Sequence, residues 1–88
     1  MVDVSQLQAA LSGIKIYPNP TTGELWVENG ELRIKGVEIY DVSGRKLFEQ
    51  KENLTVLWSI NLTVFPAGVY FVRIQTEAGE VVKKVVKQ

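Results

Sequence analysis

The sequence predicts an all-β chain, an antiparallel sandwich or barrel, on two observations. From Ile14 onward, short runs rich in Val, Ile, Trp, Tyr and Phe alternate with turn residues at fairly regular spacing. The connections between those runs carry residues with specific backbone roles. Seven strands are expected, at 14–17, 24–28, 32–40, 46–52, 56–62, 69–76 and 80–87, all within ordinary strand lengths. With 88 residues the chain can bury only about 60 to 65% of its unfolded surface, so one small core is the most it can build.

The first strand stops at "YPNPTTG", residues 17–23. Pro18 and Pro20 cannot donate ladder hydrogen bonds and restrict Tyr17 and Asn19 to extended shapes, so the chain must turn, with Gly23 completing the loop. "ENGE" at 28–31 is an Asn-Gly hairpin signal, because both central residues of a type I′ turn need positive φ. Between Leu32 and Ile39 the apolar parity slips by one around Gly36, which reads as a bulge or a bend between sheets, with a plain loop at Lys35 and Gly36 as the alternative.

"DVSGR" at 41–45 offers Asp41 as an acceptor for backbone N–H groups and Gly44 for a left-handed position. In "LTVFPAGVYFVRI", residues 62–74, Pro66 fixes a turn, Gly68 frees the backbone and Tyr70 follows just inside the next strand. That spacing predicts a tyrosine corner, with the hydroxyl bonded to backbone a few residues upstream and Tyr70, Val72 and Ile74 sharing the core face. "TEAGE" at 76–80 reads as a hairpin loop in which Gly79 supplies the same freedom as Gly44. Residues 1–13 carry Val4, Leu7 and Leu11 at helical spacing, which fits a linker with fleeting helicity or a short docked helix.

Composition narrows the function. Ten Lys and Arg balance ten Asp and Glu, so no global field holds nucleic acid or an anionic membrane. Without histidine or cysteine, the commonest general base, thiol nucleophiles and thiolate metal sites are all missing. The ten acids show no spacing that selects a catalytic pair, and nearly all of them are expected on exposed strand faces or beside turns. Asp41 is the only aspartate in the folded part, where turn capping explains it better than calcium. No enzyme activity, cofactor or metal is expected. Two "NLT" triplets, at Asn53 and Asn61, match the glycosylation pattern and are read as silent.

Tyr17, Trp26, Tyr40, Trp58 and Tyr70 offer the side chains of an aromatic platform for a sugar ring, but their strand positions favour the core, because so small a domain needs its large side chains inside. "MVDVSQLQAALSG" has neither a basic start nor an apolar run long enough for a secretory signal, so an exported chain relies on another segment. The final "EVVKKVVKQ" has valines of both parities, Val81 and Val85 against Val82 and Val86, which leaves one pair partly exposed. Lys83, Lys84 and Lys87 add a positive end. They fit a recognition strand, and they equally fit edge protection against unwanted pairing.

Read together, "IYPNPTTGEL", "VEIYDVSGRKL", "FPAGVYFVRI" and "VVKKVVK" resemble, in order and spacing, the C-terminal sorting domain of type IX secretion cargo over residues 14–87. The resemblance implies a seven-stranded immunoglobulin-like sandwich spanning 14–88, non-catalytic, fused behind a cargo domain. It also implies transit through the periplasm, engagement by the type IX outer-membrane channel and its shuttle protein, and removal by a sortase-like surface peptidase. The cargo then stays on the outer-membrane surface or is released. Gly68, Tyr70, Lys83, Lys84, Val85, Val86 and Lys87 become the residues expected to bear on recognition, while Pro18, Asn19, Pro20, Gly23, Asp41, Gly44, Pro66 and Gly79 are expected to shape turns. "SQLQAALSG" identifies no scissile bond. A homodimer through an uncovered edge strand is a further expectation, and the competing reading is an accessory carbohydrate-binding or adhesion module kept on its parent protein.

Overall fold

A computed structural model describes residues 13–28, 33–51 and 57–88, the side chains of Leu57 and Trp58 excepted. Among these residues seven strands are present: β1 (Lys15–Tyr17), β2 (Glu24–Glu28), β3 (Ile34–Tyr40), β4 (Lys46–Lys51), β5 (Leu57–Asn61), β6 (Gly68–Thr76) and β7 (Gly79–Lys87). They form a three-stranded sheet ordered β1-β2-β5 and a four-stranded sheet ordered β4-β3-β6-β7, every pairing antiparallel. Period-2 alternation turns one face of each sheet inward. Leu25, Val27 and Ile60 from the first sheet meet Ile34, Val37, Ile39, Tyr70, Val72, Ile74 and Val85 from the second, closed off by Ile14 and Leu62. Each fully buried aliphatic side chain contributes about 1.5 to 3 kcal/mol, which is how so short a chain holds two layers together.

The parity slip in β3 is a bulge. Register against β6 shifts between Ile34 and Gly36, leaving Lys35 exposed while Ile34 and Val37 both reach the core. β3 stays in one sheet throughout, so the bend between sheets and the plain loop are both set aside. After β3, the Asp41 carboxylate accepts the N–H groups of Ser43 and Arg45 at 2.9 and 3.0 Å. Gly44 takes φ 88°, the left-handed position.

Three expectations need correction. The Asn-Gly signal at 28–31 does not join paired strands: β2 is bonded on both edges by β1 and β5 and has none free for β3, which lies in the other sheet. Residues 29–32 themselves lie outside the described residues, as do residues 1–12, Asn53 and the side chain of Trp58. The aromatics are not gathered in the core. Tyr17 is 42% exposed, and Trp26 and Tyr40 are half-buried, because alternation puts them out of phase with Leu25, Val27 and Ile39. Only Tyr70 among the described members of that set is buried.

Finally, Glu38 is not a solvated acid. It is 7% exposed, bonded by Lys46 at 2.7 Å and by the Tyr40 hydroxyl at 3.0 Å, with Arg73 at 3.6 Å. The Lys46 ammonium holds its carboxyl below the ordinary 4.5 against the opposing effect of burial. A carboxylate covered in this way is tolerated because cations and donors satisfy it.

Candidate docking site on the terminal strand

β7 is an edge strand, bonded to β6 from Gly68↔Lys87 to Thr76↔Gly79. Its inward residues pair with the core face of β6, so Tyr70 faces Val85, Val72 faces Lys83 and Ile74 faces Val81. The Tyr70 hydroxyl donates to the Pro66 carbonyl, forming the corner the spacing predicts, and its ring packs 5.9 Å from Phe65. Gly68 opens β6 with nothing near the position a Cβ would occupy. The hairpin turn after β6 is stitched by the Thr76 hydroxyl, which donates to the Gly79 carbonyl at 2.8 Å and accepts the Ala78 N–H at 3.1 Å.

The outer edge of β7 is closed over its last residues by the loop after β1. Tyr17–Pro18 and Asn19–Pro20 are both cis peptide bonds. Asn19 lies between the prolines, and its side-chain amide stands where a neighbouring strand's peptide group would. Its Nδ2 donates to the Lys84 carbonyl at 2.9 Å, and its Oδ1 accepts the Val86 N–H at 3.0 Å. Thr21 completes the clasp with backbone alone, donating to the Val86 carbonyl at 2.9 Å and accepting the Gln88 N–H at 2.8 Å, as an isolated parallel bridge.

The clasp is itself held in place. The buried Thr21 hydroxyl donates to the Glu24 carbonyl at 2.7 Å and accepts the Gly23 N–H at 3.0 Å. The Gly23 carbonyl accepts the Leu62 N–H at 2.7 Å. A Cβ on Gly23 would stand 2.4 Å from the Thr63 methyl, so only glycine lets the two loops touch. "YPNPTTG" therefore does more than turn the chain into β2: it fastens the terminal strand.

The seven residues expected to bear on recognition lie together on the β6–β7 pair, but in different environments. Val85 is in the core, and Val86 is half-buried with its backbone closed by the clasp. Lys87 is half-buried, and its ammonium caps carbonyls after β5, those of Thr63 at 3.4 Å and of Phe65. Lys84 is exposed and Lys83 half-buried. These two line a groove of about 410 Å³ between the edges of β7 and β1, together with Ile14, Lys15, Ile16, Tyr17 and Asn19. The sequence reading missed Lys15, which lies far from the tail in the chain.

Among the described residues no acid lines that groove. Glu80, the one acid of β7, is held by Arg73 through two hydrogen bonds of 2.7 Å, and the guanidinium keeps its carboxyl below the ordinary value. Val82 is 56% exposed on the outer face. Among the described residues no group of His, Cys, Asp and Glu gathers to hold a metal. The arrangement offers strand edge, apolar surface and positive charge. It therefore suits docking.

Known proteins agree with this picture. A DUF3244-family protein of Bacteroides vulgatus, described as an immunoglobulin-like β-sandwich, superposes with a TM-score of 0.73 over 86% of this chain and 85% of its own, at 18% identity. That likeness shows the immunoglobulin-like fold. An ulvan lyase of Nonlabens ulvanivorans is 24% identical over 71 residues, which are 81% of this chain but only 13% of the lyase. The match is thus to a small part of a much larger protein. Residues 15–88, which include the clasp, the corner and the terminal strand, match the family model described as the secretion system C-terminal sorting domain, and the chain belongs to that family, the type IX sorting domain its motifs resemble.

Proposed function

We propose that this domain works as a folded address label whose β6–β7 pair is read by the type IX machinery. As a member of the family it is a sorting signal carried on a larger cargo protein, and cargo of this system crosses the outer membrane to the surface or the extracellular space. The family is non-catalytic. The chain's own residues support a docking role: among the described residues, an edge strand carries Lys83 and Lys84 without carboxylate partners, beside a groove that no acid lines. That observation carries the reading.

Recognition on this account involves Lys83, Lys84 and the exposed face of β7, whereas Gly68, Tyr70, Val85, Val86 and Lys87 act by building the strand. Pro18, Asn19, Pro20 and Gly23 build the clasp, and Asp41, Gly44, Pro66 and Gly79 set turns elsewhere. The partners proposed are the outer-membrane channel with its shuttle protein and a sortase-like surface peptidase, after passage through the periplasm. The folded unit is residues 14–88, with 1–13 joining it to the cargo. The test fuses the 88-residue chain behind a periplasmic reporter in a type IX-competent host and in the same host lacking the channel. Surface reporter in the first and periplasmic reporter in the second is expected; equal distribution in both hosts refutes the proposal.

A further inference from the structure

The clasp closes only half of the β7 edge. Its bonds go to the Lys84 carbonyl, both backbone groups of Val86 and the Gln88 N–H, so the even-numbered residues of β7 turn their backbone away from β6. The same antiparallel alternation directs the N–H and C=O of Val82 and the N–H of Lys84 outward, where no described residue bonds them. Around this open stretch stand Lys83 and Lys84 from β7 and Lys15 from β1, none with an ion-pair partner among the described residues. By contrast, Lys46, Lys51, Arg45 and Arg73 are all matched to carboxylates elsewhere on the fold.

We propose that the open edge at residues 80–84 receives a short, extended, acidic peptide segment of the export machinery, which adds as a strand beside Val82 and sets its carboxylates against Lys15, Lys83 and Lys84. This rests on the sorting reading above and names the chemistry of the partner. Three features select an extended peptide over other anions. An unpaired strand edge is matched by backbone, which a saccharide or phosphate lacks. Val82 on the outer face and half-buried Ile16 in the groove offer apolar contact on both sides of an added strand. Lysines likewise leave β7 on both faces, Lys83 on the face of Val81 and Val85 and Lys84 on the face of Val82, and both line the groove. Asn19 marks where the added strand must stop, because beyond Lys84 the edge is already filled.

The test uses the reporter fusion of the 88-residue chain. Val82→Pro removes an outward N–H that the fold does not use and so leaves the β6–β7 ladder intact, as proline is tolerated on an edge with its nitrogen toward solvent. Lys83→Glu with Lys84→Glu reverses the charge, and Lys83→Arg with Lys84→Arg preserves it. With melting of each variant checked, surface reporter is expected to fall about tenfold or more for the proline and glutamate variants and to stay within about twofold for the arginine pair. If the proline variant does not fold, the charge reversal against the arginine pair decides.

Export of folded Val82→Pro and of the glutamate pair at the unsubstituted level overturns the inference while the sorting reading stands. Loss with the glutamate pair but not with the proline variant overturns strand addition in favour of a non-peptide anion. A dimer of the isolated chain that Val82→Pro makes monomeric assigns the edge to a second copy and overturns it too. Failure of the unsubstituted fusion to reach the surface removes the sorting reading, and this inference with it.

Discussion

Replacing Asn19 by alanine removes both side-chain bonds of the clasp, one from Nδ2 to the Lys84 carbonyl and one from the Val86 N–H to Oδ1. A neutral hydrogen bond contributes about 0.5 to 1.5 kcal/mol net, and these two are solvent-exposed, so water replaces part of the loss and about 1 to 2 kcal/mol is expected. For a domain of this size that lowers the melting temperature by about 4 to 12 °C. The local signature is sharper. The Val86 amide should exchange with solvent much faster, while amides of the β3–β6 ladder change only by the global loss. Thermal melts and amide exchange by NMR measure both. An unchanged Val86 amide together with an unchanged melting temperature would refute the clasp.

Tyr70→Phe deletes the corner bond to the Pro66 carbonyl and should destabilise by about 1 kcal/mol in denaturant titration, with no change if the bond does not matter. Gly23→Ala puts a Cβ 2.4 Å from the Thr63 methyl and should cost about 1 to 3 kcal/mol in denaturant titration, against a smaller cost for alanine at Gly68, where a Cβ meets no atom and only the φ of 155° strains it. Glu38 has a lowered pKa in the folded chain, so its contribution is complete above 4.5 and is lost as pH falls through the lower folded value. The stability gap between the unsubstituted chain and Glu38→Gln, measured in denaturant from pH 7 to 2.5, should stay constant above about 5 and shrink below 4.5. A gap that grows in acid contradicts the assignment.

Much of the fold is legible in residues whose role is local. Asp41 and Gly44 specify their turn by their own chemistry, Pro66 and Tyr70 specify the corner across four residues, and the parity slip at Gly36 shows the bulge. What the sequence leaves open is long-range. Asn29 and Gly30 suit a turn, yet turn chemistry does not say whether the flanking strands pair, and here β2 has no free edge. Asn19 looks like one more turn residue until β7, about 65 positions later, is found within bonding distance of it. Lys15 joins Lys83 and Lys84 only because β1 and β7 are the edges on the same side of the two sheets. Glu38 reads as a surface glutamate because the cations that cover it, Lys46 and Arg73, come from two different neighbouring strands.

The most direct measurement is the ratio of surface to periplasmic reporter in a type IX-competent host, for the intact fusion and for one lacking residues 83–88. A terminal strand that serves as the docking element predicts surface reporter for the intact chain and periplasmic reporter for the shortened one. Equal surface reporter from both would contradict it.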